Sequence, residues 1–278
     1  MRFAVLGSPI AHSKSPTLHR AGFAALGLDW QYEAIDMTPD YLDDFLRSRS
    51  DEWLGFSLTM PLKRTVLPLL DRVDHLVTVT GAANTVVFDS AGGQRTLDGF
   101  NTDVYGITQA LRSAGITRLR SVRLLGGGAT AASALAAVAS LGARRVIVAL
   151  RSPRKATALL ELGEELGVDV ELAVFGAIDD GVVPDAVIST IPGGAELELS
   201  FDLATRRTAV LLDVAYEPWP TPLAAAWAEV GGRVVPGIEM LVNQALMQMR
   251  VFIAGDPTRP LPGEASVYAA MRASIGLQ

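Results

Sequence analysis

The sequence predicts an α/β protein with two successive alternations of strand and helix, each built on a mostly parallel sheet. Three observations predict it. Short apolar runs alternate with helix-period segments through the first hundred residues, the alternation restarts after about Val104, and a triple-glycine turn joins the first strand of the second half to its first helix.

In order, the strand-like runs of the first half are Phe3 to Leu6, Trp30 to Ile35 and Trp53 to Leu58. The helical patterns after them are Leu18 to Leu26, Asp40 to Leu46 and Leu62 to Leu70. Two more strand-like runs, Thr85 to Phe88 and Gln94 to Leu97, flank Ala91-Gly92-Gly93, which reads as a hairpin turn. A helix from about Val104 to Ala114 marks the boundary. The second half then offers strands at Val122 to Leu125, Val146 to Leu150, Val170 to Val174, Ala186 to Ser189, Val210 to Val214 and Val234 to Val235, with an Ala-rich helix from Ala131 to Leu141. Six such strands predict a doubly wound sheet. The tail is helical from Gly237 through Ile253 and again from about Ser266 to Ile275.

Composition excludes several classes. The 278 residues contain no Cys, so disulfide frameworks and thiolate zinc sites drop out. No run approaches the roughly 20 apolar residues that span a bilayer, and Phe3 to Leu6 is too short for a signal peptide core. The expectation is a cytoplasmic protein without a membrane partner. The three His, at 12, 19 and 75, lack metal-ligand spacing, so no metal is expected. The net charge of −6 hides an asymmetry. From Val104 to Leu160 there are nine basic residues and no acid, so that segment carries +9 and the remainder −15. A one-sign block inside an acidic chain points to an anionic partner. It does not read as a nucleic-acid surface, because Tyr105 is its only aromatic and no stacking platform results.

Gly126-Gly127-Gly128-Ala129-Thr130-Ala131 follows a strand and opens a helix. This matches GxGxxA, where the first glycine makes the turn and the second lets backbone N–H groups approach a pyrophosphate. A plain structural turn is the alternative. The next strand ends in Leu150-Arg151-Ser152-Pro153-Arg154-Lys155, without the acidic residue that would bind an unphosphorylated ribose. Guanidinium and ammonium groups there suit a 2′-phosphate, which favours NADP over NAD. Solvated surface charge is the competing reading.

Small polar residues gather where strands of the first half should end. Ser13 and Ser15, two apart, would face the same way in an extended chain and hold a carboxylate; Ser15 before Pro16 is equally a helix start. Pro61 places Lys63 in the first turn of a helix, where the macrodipole disfavours a cation. The chain has twenty-one Arg and only three Lys, at 14, 63 and 155, each inside a candidate motif. Lys63 is thus a proton-transfer candidate or a surface lysine beside Arg64. Asn84 follows Gly81-Ala82-Ala83, and in Asn101-Thr102-Asp103 either of the last two residues also reads as a helix N-cap.

Seven motifs in order resemble those of the shikimate dehydrogenase family: His12-Ser-Lys-Ser-Pro16, Thr59-Met-Pro-Leu-Lys63, Gly81-Ala-Ala-Asn-Thr85, Asn101-Thr-Asp103, the Gly126 loop, Asp213-Val-Ala-Tyr-Glu-Pro-Trp-Pro-Thr-Pro222 and Gly237-Ile-Glu-Met-Leu-Val-Asn-Gln244. The resemblance covers nearly the whole chain. It implies reversible NADPH-dependent reduction of 3-dehydroshikimate to shikimate, a step toward aromatic amino acid precursors, by a monomer or homodimer. It further implies an α/β substrate-binding domain over 1–103, completed by 239–278, and a Rossmann-like NADP-binding domain over 104–238, with the C-terminal helices returning to the first domain.

By the same resemblance Ser13 and Ser15 would bind the substrate carboxylate with Tyr216 close by. Thr59, Asn84, Asp103 and Gln244 would meet the ring hydroxyls or carbonyl, and Lys63 would be the general acid/base paired with Asp103. Gly126, Gly127, Gly128, Ala129 and Thr130 would cradle the pyrophosphate of NADP(H). Arg151, Ser152, Arg154 and Lys155 would meet the adenosine phosphate, and Thr190, Val214 and Gly237 the nicotinamide end. This chain departs from the family at Ser57-Leu58, where many members have Asn-Val, at Val104, where Gly is usual, and at Leu150, where Asn usually precedes the Arg. Rival readings are a quinate or aminoshikimate dehydrogenase of the same fold and a non-catalytic NADP-binding sensor.

Overall fold

A computed structural model of the chain describes residues 1–89, 95–176, 181–195 and 199–278, with the backbone alone for Lys155. The turn expected at Ala91-Gly92-Gly93 lies outside the described residues. The chain divides into two compact units, Met1–Thr102 with Leu241–Gln278, and Asp103–Met240.

The first unit contains β1 (Arg2–Gly7), α1 (Ser15–Ala25), β2 (Gln31–Asp36), α2 (Pro39–Arg47), β3 (Trp53–Leu58), α3 (Leu62–Thr65), β4 (Arg72–Val73), α4 (His75–Thr80), β5 (Thr85–Asp89) and β6 (Thr96–Phe100). Its sheet runs β2-β1-β3-β5-β6-β4. β1 is parallel to β2 and β3, whereas β5 is antiparallel to both β3 and β6. Alternation along β1 separates two cores: Phe3 and Val5 belong to one, Ala4 and Leu6 to the other. The second core is closed by Leu42, Leu46, Leu62 and Val66.

The second unit contains α5 (Asp103–Ser113), β7 (Ser121–Leu125), α6 (Ala129–Ser140), β8 (Arg145–Leu150), α7 (Ala158–Leu166), β9 (Asp169–Val174), β10 (Ala186–Ser189), α8 (Leu203–Thr208), β11 (Val210–Asp213), α9 (Pro222–Ala228) and β12 (Val234–Pro236). Every pair in its sheet is parallel, in the order β12-β11-β10-β7-β8-β9. The strand order therefore reverses between β7 and β10, the switch point at which doubly wound sheets open a crevice beyond their carboxyl ends. Leu124, Val146, Val148, Val187 and Leu211 are buried in it, as expected of strands covered on both faces.

Two helices finish the chain, α10 (Gly237–Ala254) and α11 (Glu264–Ser274). Val242, Ala245, Leu246, Met249, Phe252, Val267 and Met271 from these helices share the first unit's core with Phe3, Leu18 and Phe23. Arg250 ties them together by donating from Nε to Glu264 at 2.7 Å, which holds the Glu264 carboxyl below its ordinary range.

Three local expectations change. The helix expected over Leu62 to Leu70 is four residues long, followed by a 3₁₀ turn over Leu67–Leu69. Pro68 supplies no N–H to an α-helical ladder there, and so short a helix has little macrodipole to act on Lys63. The chain at Ser13 to Ser15 is not extended: Lys14 is helical at φ −86°, ψ −3°, and the Ser15 N–H donates to Ser13 Oγ at 3.3 Å. Period-2 alignment of the two hydroxyls therefore does not apply. Of the strand expected over Gln94 to Leu97, Gln94 lies outside the described residues; the strand observed is Thr96–Phe100 and runs past Leu97, because Leu70 packs on Gly99 and Arg72 bonds Asp98, so residues that look like strand breakers are paired.

Candidate functional site

In the first unit the topology brings four motifs to one edge of the sheet. β1, β3 and β6 end there, and antiparallel β5 begins there, so Thr59, Asn84 and Asn101-Thr102 become neighbours although they lie in separate motifs. Backbone bonds fix the arrangement: Thr59 N donates to Leu6 O at 2.9 Å, Leu58 N to Asn84 O at 2.7 Å, and Asn84 N to Phe100 O at 3.0 Å. Lys63, half-buried in α3, is tethered to the same edge by Ala83 N donating to the Lys63 carbonyl at 2.9 Å.

A buried cluster of side chains sits at this edge. Asn84 is 2% exposed, its Oδ1 accepts from Thr102 N and Thr85 Oγ1 at 2.9 Å each, and its Nδ2 donates to Thr102 Oγ1 at 2.9 Å and Gln244 Oε1 at 3.3 Å. Gln244 is also buried, with Nε2 donating to Leu241 O at 2.9 Å. Asn84 and Gln244, 160 residues apart, are thus brought together. Asn101 is pinned separately by bonds to Thr80 Oγ1 and Ala82 O. Ser15 is buried at the start of α1, Ser13 half-buried just before it.

Beneath α1, His19 is fully buried, stacked on Tyr32 with ring centroids 4.1 Å apart. Its Nδ1 lies 2.9 Å from the Ser15 carbonyl, so that nitrogen carries the proton and donates. Burial lowers its pKa to about 4, only partly opposed by that bond. A neutral imidazole therefore braces the turn that carries Ser15.

In the second unit the glycine loop lies at the switch point. Gly126 has φ +104°, and a Cβ there would come 2.5 Å from Thr190 Oγ1, so only glycine fits. Thr190 follows β10 and donates its hydroxyl to Leu125 O at 2.8 Å, binding the two crevice walls together. Gly127 lies against Leu150 and Ala156, which places the loop beside the basic segment between them. Gly128 caps α6 and faces open space, leaving its backbone approachable. Ala129 and Thr130 form the first turn of α6, which contains no acidic residue. Arg151, Ser152 and Arg154 are exposed; the side chain of Lys155 lies outside the described residues.

Val214 and Gly237 follow β11 and β12 at the same end of the sheet, and a Cβ on Gly237 would overlap the Val214 carbonyl. Tyr216 is half-buried two residues on. The bend between them is organised by Asp213, which opens one of the family motifs but has no role assigned by the resemblance. It accepts from Thr221 Oγ1 at 2.6 Å and Ala215 N at 3.2 Å, and burial raises its pKa despite those bonds. Arg123, counted in the basic block, is buried and donates to Val182 O, so it does not add to a surface field. Asp103 is buried at the start of α5.

Nothing among the described residues groups three or more His, Cys, Asp or Glu as a metal site, and none of the described helices is long and apolar enough to cross a membrane. Gln248, Thr85, Thr102 and Ser57 have no site role in the sequence reading; Gln248 alone of these shows a signal in its spacing, one helical turn from Gln244.

The family described as shikimate dehydrogenase substrate binding domain matches residues 5–86. The shikimate dehydrogenase (NADP(+)) of Citrifermentans bemidjiense is 36% identical over 98% of this chain and 94% of its own length. The pentafunctional AROM polypeptide of Malassezia globosa is 35% identical over 98% of this chain, which spans 18% of that polypeptide. A crystal structure of shikimate 5-dehydrogenase from Thermus thermophilus in complex with NADP(H) and shikimate is similar with a TM-score of 0.78 and 28% identity, covering 99% of each chain.

Proposed function

Because the chain belongs to the shikimate dehydrogenase family, we propose that it catalyses the reversible NADPH-dependent reduction of 3-dehydroshikimate to shikimate. The observation that carries this reading is the convergence of Thr59, Asn84, Thr102, Gln244 and the Lys63 segment on one sheet edge of the first unit. The switch-point loop of the second unit fits the cofactor: Gly126 admits no side chain, Gly128 leaves its backbone open, and exposed Arg151 and Arg154 flank the loop.

In this reading Gly126 to Thr130 hold the pyrophosphate, Arg151, Ser152, Arg154 and Lys155 the 2′-phosphate, and Thr190, Val214 and Gly237 the nicotinamide end. NADPH, when bound, supplies the hydride. Ser13 and Ser15 bind the substrate carboxylate with Tyr216, while Thr59, Asn84, Asp103 and Gln244 bind ring oxygens. Lys63 gives a proton to the C3 oxygen as the carbonyl becomes an alcohol, and takes it back in the oxidative direction. Asp103 is its pairing carboxylate. The buried Asn84 cluster needs no reorganisation before a ligand enters, which reduces the cost of orienting it. A cytoplasmic location and a monomer or homodimer belong to the same proposal.

The test offers shikimate and quinate, each with NADP and with NAD, and follows nicotinamide absorbance. Turnover of shikimate with NADP well above the other three combinations is expected. Activity with quinate alone would overturn the substrate assignment, and equal use of NAD would overturn the role of Arg151.

A further inference from the structure

Gly7 closes β1, and unlike Gly126 its backbone lies outside the left-handed region, so conformation alone does not demand a glycine there. A neighbouring side chain demands it. A Cβ at Gly7 would overlap the Thr59 methyl, Cγ2, and come 2.8 Å from the Met60 carbonyl. The Thr59 methyl therefore occupies the notch that the missing side chain leaves. Gly7 is buried, and buried Ile10 lies next to the notch, its Cδ1 3.5 Å from the same point.

The backbone around the notch is held on both sides. Thr59 N donates to Leu6 O at 2.9 Å, Leu62 N to Thr59 O at 2.8 Å and Ser8 N to Met60 O at 3.0 Å. The freedom left to Thr59 is rotation about χ1, and seating the methyl removes it. Because the threonine Cβ is chiral, the seat of the methyl also decides where the hydroxyl goes. Thr59 is half-buried, and its hydroxyl makes no hydrogen bond to any described residue, so no polar partner sets the rotamer. Asn84, by contrast, is oriented by its bonds to Thr102. Thr59 is oriented by packing.

We propose that Gly7 is a positioning residue: its missing side chain seats the Thr59 methyl, which holds the Thr59 hydroxyl in one orientation for the substrate. This rests on the proposed function, in which Thr59 meets a ring oxygen. It adds that the methyl is the anchor, which gives a reason for threonine where serine would supply the same hydroxyl. A hydroxyl already confined to one rotamer loses less freedom when it binds, so a residue with no side chain tunes substrate affinity.

The experiment uses the full chain and the variants Gly7→Ala, Thr59→Ser and the Gly7→Ala/Thr59→Ser pair. Kd for shikimate is measured by calorimetric titration into cofactor-free protein, with KM for shikimate, KM for NADP and kcat beside it. The Thr59 rotamer is read from three-bond NMR couplings to its isotope-labelled methyl. Wild-type couplings are expected to report a single rotamer, and those of Gly7→Ala a different or averaged one. Kd and KM for shikimate are expected to rise about 10-fold in Gly7→Ala, the equivalent of one oriented hydrogen bond, with KM for NADP unchanged and a smaller change in kcat. Thr59→Ser keeps the hydroxyl but empties the notch, so shikimate is expected to bind about 3-fold more weakly as three staggered rotamers open. The pair is expected to be no weaker than Thr59→Ser alone, because the methyl that collides with the new Cβ is gone. Additive losses in the pair, unchanged couplings in Gly7→Ala, or equal rises in both KM values overturn the positioning role. If Gly7→Ala does not fold, an unchanged shikimate Kd in Thr59→Ser overturns it on its own. Wild-type chain that shows the single Thr59 rotamer but neither binds nor turns over shikimate would instead overturn the proposed function.

Discussion

At the carboxyl edges of their sheets the two units expose opposite chemistry. The first gathers side chains that are buried and bonded to one another, among them Asn84, Thr85, Thr102, Gln244 and Gln248. The second offers backbone at Gly126 and Gly128, half-buried Thr190 and Val214, and exposed Arg151, Ser152 and Arg154. Side chains held by a packed network are oriented before a ligand arrives, but changing one disturbs its neighbours. Backbone N–H groups and exposed cations are largely independent of the core. Function and stability are therefore entangled in the first unit and separable in the second.

The strongest test of that contrast is Lys63→Ala. In the proposed function half-buried Lys63 transfers the proton, so kcat is expected to fall by at least ~10²-fold with a smaller change in KM. A change in KM alone would make Lys63 a binding residue.

Acid supplies the next test. His19 has a folded pKa of about 4 against an ordinary 6.5, so the folded state resists its protonation. The stability it contributes is fully present above about pH 6.5 and is lost as pH falls toward 4, by about 2 to 3 kcal/mol. Asp213 in the second unit has the opposite sign: its raised pKa means its contribution is largest below the ordinary carboxylate range and fades as pH rises through the folded value. Asp74 in the first unit, also raised by burial, shares the sign of Asp213 and offsets part of the His19 effect. Hydrogen exchange near pH 4.5 should show α1 and β2 losing protection before β7 and β8, and His19→Phe should remove the difference. Equal loss in both units would break the contrast.

The smallest expected effect is the most selective. Arg151→Ala should weaken NADPH by about 10-fold, as expected for one charge-assisted contact, leave NADH unchanged and leave stability unchanged because the side chain is exposed. Equal weakening of both cofactors would remove the 2′-phosphate assignment; a lower melting temperature would show that the second unit's edge is not separable from its core.

Much of the fold is legible in the sequence. Apolar strand runs at Val122, Val146, Ala186 and Val210 identify the doubly wound sheet because buried parallel strands need continuous apolar residues. The Gly126 loop is legible because its geometry tolerates nothing else. Helix α4 and the two-residue β4 are not, since His75-Leu-Val-Thr-Val-Thr80 is rich in β-branched residues; the N-cap bond from Val77 N to Asp74 and tertiary packing decide it. The turn at Lys14 reads as extended because its shape comes from Ser13 Oγ accepting the Ser15 N–H, a contact with no periodic signature. Tyr32 and Ser57 are invisible for a related reason. They are neighbours only across strands, 25 residues apart, and nothing in either segment announces the other.

The return of the chain to its first sheet has a further consequence, one that concerns time. The core containing Phe3, Leu18 and Phe23 also contains Val242, Ala245, Met249, Phe252 and Met271. During synthesis the N-terminal segment waits for the last helices before that face can close, while residues 103–240 already hold every strand of their own sheet. The middle of the sequence thus encodes the part able to close its own sheet first, and the sheet edge of the first unit, with Gln244 and Gln248 on α10, is completed only after that part has been made.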